Sequence, residues 1–304
     1  MKKTFYSNGK LLITGEYVVL DGAKALALPT KFGQNLIIES GNNNQIEWKS
    51  LDKDSSIWFE DSIPFESILK KESFLSDKIK NTLVEILHEA YLLNPKFIEE
   101  SEGYNITTEL TFPKFWGLGT SSTLINNIAQ WLNIDAFELL RTSFGGSGYD
   151  IACAQKDVPI LYQLENGKPT IHKVAFNPEF TGNLYFVYLN KKQSSKAAIA
   201  SYYSKQNNIS EVVKKIDQIT EAVLAADNLK AFAYQIEKHE MIMSDVLEMQ
   251  TIQEAYFSDF KGVVKSLGAW GGDFVMAISK ENPAAYFKEK GFPTLLTFDE
   301  MILK

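Results

Sequence analysis

The stretch from Pro113 to Thr123 constrains this chain most, because it joins a β-like run to an apolar helical one through glycines and hydroxyls. Residues 107–112 alternate as a strand does, while Leu124, Ile128, Ala129 and Leu132 recur at helical spacing. The segment Gly117, Leu118, Gly119, Thr120, Ser121, Ser122 therefore falls at a helix N-terminus, where unpaired N–H groups and the helix dipole favour an anion. Gly117 and Gly119 let the backbone approach phosphate oxygens, and the three hydroxyls can donate to phosphate or ligate Mg²⁺. An ordinary capped helix uses the same residue types, so the stretch alone leaves both readings open. Two familiar phosphate loops are excluded. Gly119 is followed by Thr120 and Ser121 with no Walker lysine, and the third glycine of a dinucleotide fingerprint is missing.

With 304 residues, 45% of them hydrophobic, the chain can bury one large or two medium cores, and two domains are expected, 1–156 and 157–304. A net charge of −7 and a single arginine, Arg141, argue against a nucleic-acid surface. Small anionic ligands in a local basic pocket remain compatible with it. The lone Cys153 excludes an internal disulfide framework and suits a reducing cytoplasm. Lys2 and Lys3 lead into polar residues rather than a secretory core, and no run approaches a membrane span. His88, His172 and His239 are too scattered for a histidine-ligated zinc centre, although a hard ion on oxygen ligands stays open.

Along the chain, residues 4–20 read as two β-prone segments broken at Gly9, Lys10 and at Gly15, Glu16. Lys10 among apolar residues is either an edge-strand lysine or a functional one. Short strands are expected at 36–39, 45–49 and 57–60, with Asn42, Asn43 and Asn44 as a hairpin loop, and an amphipathic helix over 74–93. Asp135 can cap a helix over 136–141, and Asp150 can cap a short one that follows a second glycine cluster. In the second half, strands are expected at 160–163, 173–176 and 184–189. The run Lys191, Lys192, Ser194, Ser195, Lys196 follows and is suited to an anionic substrate or simply to solvent. Helices are expected over 210–226, 229–247 and 252–266, then a glycine-rich bend through Gly268, Ala269, Trp270 and Asp273, and strands at 274–278 and 294–298. The whole reads as α+β.

Three of these elements, in this order, resemble the GHMP kinases, the family of galactokinase, homoserine kinase, mevalonate kinase and phosphomevalonate kinase. Gly9 to Tyr17 looks like the family's first motif, Pro113 to Thr123 is similar to its ATP loop, and Lys265 to Asp273 to its third, glycine-rich motif. The resemblance implies a two-domain fold: an N-terminal domain with a left-handed βαβ unit and a C-terminal ferredoxin-like domain, with ATP and substrate meeting in the cleft between them. It implies that Gly117 to Ser122 hold the triphosphate, that Ser121 ligates Mg²⁺, and that Asp150 and Lys10 are catalytic. Glu16, Tyr17, Ser147, Ser194, Gly268, Ala269 and Trp270 would then meet the substrate.

The sequence departs from the family pattern at Asn8, where proline is usual, at Leu267, where a small hydroxyl residue is usual, and at Trp270, where glycine is usual. Trp270 is expected to narrow the acceptor pocket and to offer one N–H to a carboxylate or phosphate. The glutamate that mevalonate kinases use as a second Mg²⁺ ligand has only Glu138 as a distant substitute. The resemblance thus points to an ATP- and Mg²⁺-dependent kinase of a small hydroxy acid, first mevalonate and second phosphomevalonate, in isoprenoid precursor synthesis. Diphosphomevalonate decarboxylase and a non-catalytic nucleotide-binding homologue are the further alternatives. The expected protein is a monomer or homodimer.

Overall fold

The computed structural model describes residues 2–75, 77–191, 202–203, 209–268 and 270–304. Ser194 and Ala269 lie outside the described residues. By contacts the chain forms two compact units, 1–9 with 32–114 and 119–155, and 10–31 with 115–118 and 156–304.

The strands in chain order are β1 (Lys3–Leu12), β2 (Ala25–Ser40), β3 (Gln45–Leu51), β4 (Ile57–Pro64), β5 (Gly103–Leu110), β6 (Ile160–Glu165), β7 (Lys168–Lys173), β8 (Leu184–Tyr188), β9 (Val263–Leu267), β10 (Phe274–Ile278) and β11 (Leu295–Thr297). In the first unit the order is β4, β3, β5, β2, with β3 parallel to β5 and the other pairs antiparallel. Alternation decides which face is covered: Ile46 and Trp48 of β3 and Ile106 of β5 are buried, while Glu47 between them is exposed. Helices Lys78–Leu93, Thr120–Leu132 and Ala136–Ser143 close over this core with Leu83, Leu87, Ile125, Ile128 and Leu139. Asp77 starts the first by accepting the N–H groups of Ile79 and Lys80 at 3.0 and 2.9 Å.

In the second unit the start of β2 pairs with β6, and β6 forms a hairpin with β7 through Asn166 and Gly167, both at positive φ as a tight two-residue turn requires. A four-stranded antiparallel sheet follows in the order β11, β8, β10, β9. All five residues of β10 are buried, so the strand is apolar throughout rather than alternating. Helices Ile209–Leu224 and Leu229–Leu247 belong to this unit, the second capped by Asn228, whose side chain accepts from Ala231 N–H. Among the described residues no helix is long and apolar enough to cross a membrane.

Several local expectations are corrected. Residues 3–12 form one strand, because β pairing carries the backbone through Gly9 and Lys10. Residues Val18–Asp21 are a short 3₁₀ turn, and β2 is far longer than its 36–39 segment. Asn42 to Asn44 do not close a hairpin, since β5 lies between β2 and β3. The helix expected over 252–266 stops at Tyr256, and the β-branched Val263 and Val264 open β9 instead. Residues 294–298 yield the three-residue β11 and then a new turn, Phe298–Met301.

Candidate active site

In the first unit, helix Thr120–Leu132 begins on Gly119, held at φ 99° with no side chain to cap the turn. The N–H groups of its first turn are therefore aimed along the axis without a side-chain cap, beside the half-buried hydroxyls of Thr120, Ser121 and Ser122. Thr123 is committed elsewhere, its hydroxyl 2.7 Å from Gln34 Oε1. A buried polar network anchors the same helix. Ser7 Oγ donates to Asn127 Oδ1 at 2.7 Å, Asn126 Nδ2 donates to Ser7 Oγ at 2.8 Å, and Asn127 Nδ2 donates to the Gln34 carbonyl at 2.9 Å. Side-chain amides this deep are stable only when paired, and the pairing fixes the helix's rotation.

The helix Tyr149–Ala154 is tied to that one by Gln155 Nε2, which donates to Asn126 Oδ1 at 3.0 Å. Its N-cap is Gly148 at φ 91°, and Asp150 is the second helical residue, half-buried. The expectation that Asp150 caps this helix is thus corrected: the left-handed glycine takes the cap, and the carboxylate stands in the first turn. Ser147, just before it, is 8% exposed. Glu138 pairs with Arg141 at 3.5 Å along its own helix.

In the second unit, Lys10 is half-buried near the end of β1, and its N–H donates to the Leu118 carbonyl at 3.0 Å. The loop 115–118 is held to β8 and β10 by aromatics. Trp116 meets Phe274 edge-on at 5.4 Å, and Tyr188 Oη donates to the Phe115 carbonyl at 3.1 Å. Gly117 has φ 68°, and a Cβ there would stand 2.3 Å from the Asp273 carboxyl carbon, so any side chain at 117 strains the backbone and displaces that carboxylate. The Asp273 backbone is fixed, its carbonyl accepting from Leu189 N–H at 2.8 Å and its N–H donating to the Lys191 carbonyl at 2.7 Å. Trp270 is 6% exposed and walls a cleft of about 280 Å³ with Lys191, Gln250, Tyr256 and Gly271. Its indole N–H donates to the Gln250 carbonyl at 3.0 Å, so it is not the donor to a ligand that the sequence led one to expect.

Below that bend lies an ionic cluster with no counterpart in the sequence reading. Lys265 Nζ donates to Glu16 Oε1 at 2.7 Å, to Glu240 Oε1 at 3.0 Å and to the Ser266 carbonyl at 2.9 Å, and the ammonium is fully buried. Burial alone would lower the lysine pKa, but Glu16 and Glu240 more than reverse that and hold it above its ordinary value. Burial would likewise raise Glu240, yet Lys265, His239 and the Ser266 N–H keep it below the ordinary range. Glu16, expected to face a substrate, is 3% exposed, and one of its oxygens is committed to this pair.

Tyr17 follows at φ 62°, ψ −52°, with Val18 N–H donating to the Glu16 carbonyl at 2.7 Å, the rare strained form of the γ-turn. Its ring stacks on Tyr202 at 5.7 Å, and its hydroxyl accepts the Trp270 backbone N–H at 2.8 Å. Burial pushes the phenol up to about 12, partly offset by the Trp270 N–H and helped by Glu16 and Glu240.

The residues missed by sequence reasoning are Asn126, Asn127, His239, Glu240 and Lys265. Their burial comes from tertiary packing, so only Asn126 and Asn127, polar residues on the apolar face of a helix, offered a local signal. Among the described residues no group of three His, Cys, Asp or Glu could hold a metal ion.

No protein-family model matches the chain, and no curated protein matches it in sequence. Solved structures match in fold over nearly all of it. The mevalonate kinase of Methanococcus jannaschii is 16% identical with a TM-score of 0.70, covering 100% of this chain and 99% of that one. The Streptococcus pneumoniae phosphomevalonate kinase in complex with phosphomevalonate and AMPPNP is 16% identical with a TM-score of 0.72, covering 97% and 99%. The Lactococcus lactis galactokinase complexed with galactose is 13% identical with a TM-score of 0.70, covering 99% and 93%. At these identities the likeness is one of fold, and the fold is the two-domain one of the GHMP kinases.

Proposed function

We propose that the chain is an ATP-dependent phosphotransferase of a small hydroxy acid, with mevalonate as its acceptor. The observation that carries this reading is the first turn after Gly148, where Asp150 stands half-buried on a helix that Gln155 pins to the one opening on Gly119. In the reaction the Asp150 carboxylate accepts the proton of the acceptor hydroxyl, whose oxygen bonds to the γ-phosphorus as the bond to the bridging β–γ oxygen breaks and ADP leaves. The N–H groups that open helix Thr120–Leu132, with Ser121 and Ser122, hold the triphosphate, and Lys10 offsets charge developing on the transferred group. Mg²⁺, when bound, neutralises phosphate charge. Ser121 would hold it as a hard oxygen ligand. Phosphomevalonate is the second reading, favoured by Lys191 on the wall of the 280 Å³ cleft.

The test is coupled ADP release with mevalonate, phosphomevalonate and diphosphomevalonate, scored together with CO₂ release. Mevalonate should give ADP without CO₂. ADP release with CO₂ from diphosphomevalonate would instead identify a decarboxylase, and silence with all three would remove the mevalonate reading. Asp150→Asn should lower kcat on the order of 10²-fold with ATP affinity kept. Because Gly148 holds the cap, it should not show the loss of about 1 kcal/mol that removing an N-cap brings. Near-normal turnover in that variant would remove Asp150 from the mechanism.

A further inference from the structure

The buried ionic cluster joins two backbone features of the second unit that are far apart in sequence. One is the strained turn at 15–18. The other is the glycine bend that Ser266, Gly268, Trp270 and Gly271 belong to. Lys265 reaches Glu16 at 2.7 Å on the first and the Ser266 carbonyl at 2.9 Å on the second, while Glu240 Oε2 accepts the Ser266 N–H at 3.0 Å. Ser266 Oγ accepts the Gly271 N–H at 3.0 Å, and the Trp270 N–H returns to Tyr17 Oη at 2.8 Å. The bend that walls the cleft is thus hung from the turn at both ends.

His239 is fully buried at the back of the turn, and its Nε2 faces two groups of opposite demand. The Gly15 N–H donates to it at 3.0 Å, and Glu16 Oε2 stands 3.2 Å away. Glu16 Oε2 is buried and has no hydrogen-bond partner while Nε2 acts as the acceptor. A proton on Nε2 would supply that missing donor and take the acceptor away from Gly15. Gly15 cannot move freely in response: it has φ 86°, and a Cβ there would already be 2.8 Å from Ala25 Cβ.

The charged groups around His239 are few. Glu16 faces it from the turn, Glu240 Oε1 lies 3.8 Å from Nδ1 on its own helix, and Lys265 of β9 binds both carboxylates. From helix Ile209–Leu224, Asp217 accepts the Lys24 N–H and Glu221 pairs with the Lys24 ammonium.

We propose that His239 is a positioning residue for the acceptor, acting through the 15–18 turn and the bend hung from it, and that its protonation exchanges the clamp on Gly15 for one on Glu16. The proposal rests on the kinase reading for its effect on substrate, but the clamp itself can be read without turnover.

Two variants test it on the full chain. In His239→Gln the amide oxygen can accept Gly15 N–H while the NH₂ donates to Glu16, satisfying both without titrating. His239→Leu satisfies neither. Backbone NMR of the wild type at falling pH should show the Gly15 and Trp270 amide resonances moving together with the His239 ring signals. In His239→Gln both amides should stay still. Flat Gly15 and Trp270 amides in the wild type, or amides that titrate equally in His239→Gln, overturn the clamp. In the coupled assay His239→Leu should raise the acceptor KM about tenfold with kcat within about twofold, and His239→Gln should restore it. An acceptor KM unchanged in His239→Leu, or raised equally in both variants, overturns the positioning role. Should His239→Leu fail to fold, the wild-type and His239→Gln spectra still decide. No turnover by the wild type with any acceptor tried counts against the kinase reading, and the amide titration then judges the clamp alone.

Discussion

Lys265→Met is the sharpest perturbation of this molecule, because it removes one cation and strands two anions. The ammonium donates at 2.7 and 3.0 Å to Glu16 and Glu240, which are each 3% exposed. Breaking a buried pair by deleting one partner costs about 3–5 kcal/mol, and with two carboxylates left behind the upper part of that range applies. At a urea slope of about 2.5–3 kcal/mol per molar, the midpoint should fall by about 1–2 M. The folded pKa of Lys265 is raised and that of Glu240 lowered. The lysine contribution is therefore whole below its ordinary 10.5 and is lost as pH rises through the raised value. The glutamate contribution is whole above its ordinary 4.5 and is lost as pH falls through the lowered one. The cost of the substitution should accordingly hold steady between those two values. Unfolding would be followed by fluorescence and circular dichroism together, since two compact units need not melt as one. The triple variant Glu16→Gln, Glu240→Gln, Lys265→Met leaves no unpaired charge and should regain about half of the loss or more. A single variant within about 1 kcal/mol of wild type, or a triple variant no more stable than the single, would refute the electrostatic account.

Gly117→Ala should cost about 1–2 kcal/mol for its left-handed backbone and more for the clash with Asp273. Adding Asp273→Ala should return only the clash, and a melting curve for each variant checks this. Tyr17→Phe should change the alkaline limb of stability. The phenol is raised from 10.0 to about 12, so the wild type should lose roughly 2 kcal/mol as pH passes from the first value to the second, a loss absent in the variant. Identical urea midpoints at both pH values in wild type would show that Tyr17 ionises freely.

The fold was legible where a local rule and the tertiary environment agree. The helix that opens on Gly119 was readable because glycine, hydroxyls and helical apolar spacing all point one way, and it runs Thr120–Leu132. The strand β9 was not, because Ile252 and its neighbours begin a helix whose apolar spacing continues past the turn that ends it. Only the β-branched Val263 and Val264 mark the change, and a pair of residues is a weak signal. The length of β2 was hidden in the same way: Pro29 lies inside it, a residue that by itself argues for a break.

The candidate site divides along a different line. Asp150, Ser121 and Gly117 can be picked out because carboxylates and hydroxyls beside glycines are locally unusual. Lys265 and His239 cannot, because nothing in their own neighbourhoods says that Glu16 will be there. Lysine in an apolar run reads as a solvated edge residue, and a His-Glu pair on a helix reads as its wet face. Their burial follows from β9 being the outer strand of a sheet while helix Leu229–Leu247 packs on it, a pairing that no window of local sequence contains. Once that packing exists, a lone buried lysine would be untenable, so Glu16 and Glu240 are required by it. The strained turn at Tyr17 is held in the same way, by neighbours 200 residues and more away: Gly15 by His239 and Tyr17 by Trp270. Such strain can persist only where the surroundings over-determine it. The turn and the cluster are therefore one feature, and a substitution at His239 should be felt first at Gly15 rather than along its own helix.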